Sequence, residues 1–352
     1  MAPAERDFAY LVEQYRAELH AHCYRMLGSV HDADDALQDT LVRAWRGADG
    51  LRDGASARSW LYAIATNVCL TELARRRKRV LPHDFGPAAE PHTPPGVPAA
   101  ESTWLEPYPN EAVGLPSGLA TPEARYEQRE SIELAFVAAL QHLAANQRAV
   151  LMLREVLGFS AQEAATMLDT TVASVNSALQ RARAAVRERV PARSQQDTLR
   201  SLGDRGVRDI VERYIRAWDS CDVDAFAALL ARDATFAMPP LTTWYTPRST
   251  IRAWARASSM SGSWRWRAVP VGANAQPALA FYAWDRAAGA YLPFAINVIS
   301  LNDSLISDVT AFIVRTTHVP DPTDFTRFPE QPMDDGRLGG TFERFGLPSL
   351  LS

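Results

Sequence analysis

The stretch Ser160-Ala-Gln-Glu-Ala-Ala-Thr-Met-Leu-Asp-Thr-Thr-Val-Ala-Ser-Val-Asn-Ser-Ala-Leu-Gln-Arg-Ala-Arg-Ala-Ala-Val-Arg-Glu-Arg189 decides the fold class of the middle of this chain. It opens with the S-x-x-E form of a capping box at Ser160 and Glu163. The short helix it starts ends near Leu168, Asp169-Thr170-Thr171 forms a turn, and a second helix runs to about Val190. Short helix, tight turn and longer helix make a helix-turn-helix. On a helical wheel, Val172, Val175, Leu179, Ala182 and Val186 share one face, which packs on the first helix. The opposite side carries Ser174, Ser177, Gln180 and Arg181, with Thr171 and Asn176 beside them. Short polar groups with Gln and Arg suit base edges in a major groove. Arg183, Arg187 and Arg189 flank them and suit phosphates. The plainer reading is a solvated arginine-rich helix, but the turn and the paired helix favour a DNA reader.

Immediately upstream, Ile132, Phe136, Leu140 and Leu143 form an apolar stripe, Asn146 is a candidate cap for the next helix, and Gly158 ends it. Further upstream the pattern breaks. Residues 81–120 hold nine prolines, four glycines, five acidic and no basic side chains, a composition that runs neither as helix nor as central strand. This is an acidic linker with one unusual island, Trp104-Leu105-Glu106-Pro107-Tyr108-Pro109, whose aromatics suggest docking.

Residues 1–80 read as helical throughout. Phe8, Leu11, Tyr15 and Leu19 mark one helix, and Ala33, Ala36, Leu37, Leu41 and Trp45 a second. A third, capped by Ser56 or Ser59, carries Trp60, Leu61, Ile64, Val68 and Leu73 and is expected to run into Arg75-Arg76-Arg77-Lys78-Arg79. Five adjacent cations attract phosphate and also suit a helix C-terminus.

The whole chain of 352 residues has a net charge of −4, so overall charge does not mark it as a nucleic-acid binder and local clusters decide. Three scattered cysteines, Cys23, Cys69 and Cys221, form no CxxC pair. His20, His22 and Cys23 lack the rest of a metal site, so no metal and no cofactor are expected. No apolar run reaches the ~18 residues of a membrane span, and the N-terminus has no apolar signal core. A cytoplasmic protein without membrane contact is expected.

From about Gly206 the character changes. Helical stripes (Ile210, Tyr214, Trp218; then Phe226, Leu229, Leu230) precede strand-like stretches at Trp264–Val271, Ala278–Trp284, Tyr291–Ser300 and Leu305–Val314, the pattern of an α+β domain. Trp218, Phe236, Met238, Trp244, Trp254, Phe281, Trp284 and Phe294 are candidates for an apolar pocket for a small molecule, or simply core. One histidine, His318, serves the whole stretch 207–352, and Asp219, Asp222, Asp233 and Asp285 read as caps, turns or surface groups. No acid–base pair stands out, so catalysis is not expected.

These residues together resemble a family. Tyr24-Arg-Met-Leu-Gly-Ser-Val-His-Asp-Ala-Asp-Asp-Ala-Leu-Gln-Asp-Thr-Leu-Val-Arg-Ala-Trp45 closely resembles region 2.2 of sigma-70 family sigma factors, Arg58 to Arg79 resembles regions 2.3 and 2.4, and residues 132–190 resemble region 4. Without regions 1.1 and 3, the chain resembles the extracytoplasmic function (ECF) group. The island at Trp104 and Phe236-Ala-Met-Pro-Pro-Leu241 are similar to a subgroup with a fused SnoaL-like cone domain. The implied fold is multidomain: two all-α sigma modules joined by a Pro-rich linker, plus an α+β cone. The implied boundaries are 1–80 (region 2), 81–125 (linker), 126–192 (region 4), 205–318 (SnoaL-like) and 319–352 (tail).

The resemblance also implies roles. Asp32, Asp35, Gln38, Asp39 and Arg43 would dock on the β′ clamp of core RNA polymerase. Asn67, the loop Leu51–Ser56 and Arg75, Arg76, Arg77, Lys78 and Arg79 would take the unpaired −10 non-template strand. The helix from Thr171 would read the −35 duplex, with Arg183 and Arg187 on phosphates. The acidic linker would imitate nucleic-acid charge or hold the C-terminal domain. Two other readings remain: a stand-alone helix-turn-helix regulator with a ligand-sensing domain, and a small-molecule cyclase or isomerase fused to a DNA-binding arm. The first leaves the pattern at 24–45 unexplained, and the second lacks an acid–base pair.

Overall fold

A computed structural model describes residues 3–48, 57–93, 103–112, 128–286, 288–314 and 335–352. The chain forms two units: Met1–Arg79 with Asn110–Ala192, and Val80–Pro109 with Arg193–Ser352.

In the first unit, α1 (Pro3–Leu27), α2 (Val30–Gly47) and α3 (Ala57–Leu73) pack on one another. Gly28, at φ 74°, makes the sharp corner between α1 and α2, and the Ser29 hydroxyl accepts from the Asp32 amide at 3.1 Å to cap α2. Leu19, Tyr24, Met26, Ala33, Leu61, Tyr62 and Val68 are buried. So are polar groups: His22 Nε2 lies 3.0 Å from Thr66 Oγ1, and burial, with Arg25 nearby, pushes the imidazole down to about 3, so it stays neutral. Cys23 and Cys69, 46 positions apart in the numbering, meet in this core, where each other's company and burial raise the Cys69 thiol.

The third helix stops at Leu73, short of the expected end at Arg79. The chain turns there, which lets Arg79 and Arg76 reach back to the buried carboxylate of Asp32.

The second half of this unit holds α4 (Leu134–Gln141), α5 (Ala145–Leu151, prolonged by a wide turn over Met152–Val156), α6 (Ala161–Met167) and α7 (Val172–Arg187). Ala144 rather than Asn146 occupies the N-cap of α5. The capping box closes as its spacing predicts: Glu163 N donates to Ser160 Oγ at 3.1 Å and Ser160 N to Glu163 Oε2 at 2.7 Å. Asp169, at φ 47°, makes the turn.

These helices pack on α1 and α3 through a polar seam. Arg25 donates to the carbonyls of Ser131 and Gln128. Arg148, buried at 3% exposure, donates to the Met26 carbonyl, to Gln141 Oε1 at 2.6 Å and to the Gln141 carbonyl at 3.2 Å. Its hydrogen bonds go to carbonyl oxygens, and burial pushes its guanidinium down to about 10. Arg58 donates to the Leu157 carbonyl at 2.9 Å and covers the Phe159 ring at 4.5 Å.

In the second unit, α8 (Gln195–Asp219) kinks at Gly203, whose φ of 65° favours glycine. Then follow α9 (Val223–Leu229), β1 (Leu230–Ala237), β2 (Trp244–Tyr245), α10 (Arg248–Ala257), β3 (Trp266–Ala273), β4 (Gln276–Asp285), β5 (Ala290–Asn302), β6 (Leu305–Ile313) and α11 (Asp335–Arg344). The six-stranded sheet has the order β2-β1-β6-β5-β4-β3. Among the described strands of this sheet, β1 and β6 pair in parallel and the other neighbours antiparallel. Register shifts at Phe281/Tyr282 and Ser300/Leu301 bend the long strands around an aromatic core that includes Tyr214, Trp218, Phe226, Phe236, Trp254 and Phe281. The two-residue turn Asn274-Ala275, both at positive φ, closes β3 on β4.

The first part of the linker belongs to this unit. Val80 bridges Trp104, and Pro109 bridges Ala273. Trp104, Leu105 and Tyr108 are buried. Asn274 and Tyr108 bond reciprocally, the Tyr108 amide donating to Asn274 Oδ1 at 3.0 Å and the Asn274 amide to the Tyr108 carbonyl at 2.8 Å. The aromatic island therefore docks on the cone, and residues 80–93 and 103–109 form a strap on it rather than a free tether. The tail docks as well: Phe342 meets Tyr282 edge-on at 5.1 Å, and Tyr282 Oη donates to the Pro348 carbonyl at 2.9 Å.

Candidate nucleic-acid and polymerase faces and an aromatic cavity

The helix-turn-helix presents α7 as its amphipathic pattern requires. Val175, Ala178, Leu179, Ala182 and Val186 are buried. Ser174, Asn176, Ser177, Gln180, Arg181, Arg183 and Arg187 are exposed. Thr171 serves the helix itself, since its hydroxyl accepts from the Ser174 amide at 3.1 Å and caps the N-terminus. Arg183 donates to Glu155 at 2.6 Å, which orients its side chain at the surface.

On α2, Asp35, Gln38, Asp39 and Arg43 form an exposed polar face beside Val42 and Trp45, which are 41% and 51% exposed. Asp39 and Arg43 pair at 2.9 Å across one helical turn. Asp32 does not join that face. It is 2% exposed and is held by Arg79 at 2.6 Å and by Arg76. Burial alone would raise its carboxyl, but the two guanidiniums outweigh it and hold the carboxyl below its usual range.

The same ion pair removes Arg79, 5% exposed, from the phosphate-facing set and engages Arg76. Arg75, Arg77 and Lys78 remain exposed, with Lys78 donating to His142 Nδ1 at 2.6 Å. Asn67 is exposed on α3, and its amide donates to the Ala63 carbonyl at 2.9 Å and to the Met167 carbonyl at 3.2 Å. The candidate loop Leu51–Ser56 and His318 lie outside the described residues.

The aromatic cavity lies in the cone. Trp218, Phe236, Met238, Trp254, Phe281 and Phe294 line it, as expected from the sequence, together with Trp266, Ser259 and Asn297, which were not expected there. The alternation of Trp264 and Trp266 at a strand start was the available signal for Trp266. Among the described residues, no carboxylate, histidine or basic side chain is in the lining. Two candidates fall elsewhere. Trp244, on the edge strand β2, donates from Nε1 to the Gly86 carbonyl of the strap at 2.9 Å. Trp284 lies under Arg265 at 4.9 Å and against Tyr291 at 5.0 Å.

Among the described residues, no group of three or more His, Cys, Asp or Glu is placed to hold a metal. No helix among them is long and apolar enough to cross a membrane.

Comparison with known proteins matches residues 11–79 to Sigma-70 region 2, residues 133–186 to Sigma-70 region 4, and residues 211–308 to the SnoaL-like domain. The chain is 40% identical over 347 residues to the ECF RNA polymerase sigma factor SigG of Mycobacterium tuberculosis, covering 98% of this chain and 85% of that one. It is 29% identical over 177 residues to the ECF sigma factor SigM of the same species, covering 50% and 74%. The crystal structure of the M. tuberculosis ECF sigma factor SigJ shares its fold, with a TM-score of 0.53 at 19% identity over 93% of this chain and 99% of that one. With both sigma regions, the fused cone and near full-length similarity in agreement, the chain belongs to the ECF sigma factors of the sigma-70 family that carry a C-terminal SnoaL-like domain.

Proposed function

We propose that this ECF sigma factor reads the −35 duplex through α7, with Ser174, Asn176, Ser177, Gln180 and Arg181 toward base edges and Arg183 and Arg187 toward phosphates. The observation that carries the reading is the exposed polar face of a helix whose opposite face is buried and whose N-terminus is capped. Asp35, Gln38, Asp39 and Arg43, with Val42 and Trp45, dock on the β′ clamp of core polymerase. Asn67, Arg75, Arg77 and Lys78 meet the −10 non-template strand. Asp32, Arg76 and Arg79 act one step back, by fixing the chain that presents these cations. The protein works in the cytoplasm, and the cone modulates sigma activity without a reaction of its own.

Elements at −35 and −10 lie about 25 base pairs apart, or about 85 Å of duplex at roughly 3.4 Å per base pair. Asn67, by contrast, touches Met167 of the helix-turn-helix at 3.2 Å. Regions 2 and 4 therefore separate before both elements are read, and the polar seam is what parts.

Run-off transcription with bacterial core polymerase on the protein's own upstream promoter tests this. Gln180→Ala and Arg181→Ala are expected to lower transcription by relaxing −35 selectivity, by about 1–3 kcal/mol per lost bidentate contact. Asp35→Arg with Asp39→Arg is expected to weaken capture of core polymerase. Unchanged promoter choice in the α7 variants would sink the assignment of that helix.

A further inference from the structure

Three buried polar side chains, Ser259, Trp218 and Asn297, border the aromatic cavity of the cone. Ser259 Oγ is buried without a hydrogen-bond partner. Trp218 Nε1 is likewise buried, beside the Tyr214 hydroxyl. Asn297 lines the same space and donates to Tyr214 Oη at a long 3.3 Å. Buried donors left unpaired are destabilising, and a native fold seldom keeps them without a reason. The cavity among these side chains has a volume of about 30 Å³. One buried water takes roughly 10–15 Å³, so the cavity is tight as it stands. Unbranched Met238 and half-buried Phe294 are the walls able to give.

One wall leads directly to the strap. Trp254 stacks on Tyr245, with centroids 4.9 Å apart and planes 22° apart. Tyr245 Oη donates to the Thr93 carbonyl at 3.3 Å. Its neighbour Trp244 holds the strap twice more, through Gly86 and through the Ala89 amide at 2.8 Å. Strand β2 thus has the cavity wall on one side and the segment joining the two DNA-reading modules on the other.

We propose that the cavity binds a small, neutral, single-ring molecule bearing one hydrogen-bond acceptor, and that β2 transmits its occupancy to the strap. The uncharged lining disfavours ions, which would be desolvated without a counter-charge. The aromatic walls suit a flat ring. Ser259, Trp218 and Asn297 supply donors for one oxygen. The second half of the proposal rests on the regulatory role proposed for the cone, whereas binding is read without transcription, so the two fail separately.

The test uses the full-length protein with acetophenone (one ring, one carbonyl), ethylbenzene (no acceptor) and benzoate (charged), followed by calorimetry and ligand-observed NMR. Acetophenone is expected to saturate, ethylbenzene to bind roughly three- to tenfold more weakly for want of one hydrogen bond, and benzoate not to bind. Ser259→Ala should shrink acetophenone's advantage, and Ala311→Phe should fill the cavity and abolish both neutral ligands. Acetophenone should also change amide exchange over residues 80–93. Tyr245→Phe, which removes only the hydroxyl that holds Thr93, should keep binding and lose that change. No saturable signal from either neutral compound, or binding unaltered by Ala311→Phe, overturns the site. Should Ala311→Phe fail to fold, an unchanged acetophenone-to-ethylbenzene ratio in Ser259→Ala overturns it instead. Binding without any change at 80–93 overturns the coupling.

Discussion

The two units bury different chemistry. The cone closes over rings: Tyr214, Trp218, Phe226, Phe236 and Phe281 form a connected set of stacked and edge-on pairs, with centroids 5.0 to 6.5 Å apart. The sigma unit, around an apolar core of its own, also buries guanidiniums: Arg25, Arg148 and the Asp32–Arg79 pair, with His22–Thr66 beside them. Apolar burial has no substitute outside the fold, because water is the unfavourable alternative. A guanidinium bonded to carbonyls finds nearly equivalent partners in water. The contrast suits one body that stays closed and another whose halves are proposed to part on a promoter.

The sharpest way to break this comparison is Phe226→Ala. It removes a fully buried ring from the cone and is expected to cost about 3–5 kcal/mol. Hydrogen exchange resolved by unit should show the cone loosening and α1–α3 unaffected; equal loosening of both would mean one shared core.

Next comes Asp32→Asn, which leaves Arg79 buried without its charge partner, at an expected cost of about 3–5 kcal/mol. It also carries a pH signature. Because the folded carboxyl is held below its unfolded value of about 3.9, its contribution is complete above that value and is lost as pH falls through the lower folded one. Urea midpoints taken from pH 6 down to pH 3 should fall more steeply in the natural protein than in the variant.

The smallest effect sharpens the contrast. Arg58→Ala removes one hydrogen bond and the cation–ring contacts with Phe159 and Tyr62, together about 1–2 kcal/mol. It should barely move global unfolding, yet it should raise the separation of labels placed on α3 and α6. A closed pair in that variant would mean that the seam does not rest on this contact.

Much of this organisation was legible from local pattern. The capping box and the period of α7 gave the helix-turn-helix, and alternating apolar residues gave β3 to β6 within a few positions. What escaped depended on distant partners. β1 carries Arg232-Asp233 in mid-strand and pairs with β6 some 75 positions later in the numbering, so alternation alone did not reveal it. Asp32 and Arg79 looked like surface charges because burial of an ion pair is a tertiary event. Trp244 looked like a pocket residue because its aromatic character is visible in sequence and its edge-strand position is not. For the same reason, the strap's composition announced a linker while its partner, Asn274, lay 166 positions away.

The strap has one more consequence. The chain leaves the sigma unit at Arg79, crosses the cone, returns at Asn110 and leaves again after Ala192. A regulator joined to its target in this way is present at a fixed effective concentration, commonly in the millimolar range for short connections. Its influence is then independent of how many copies the cell makes and cannot be diluted or titrated away. Doubling the protein doubles cone and sigma modules together.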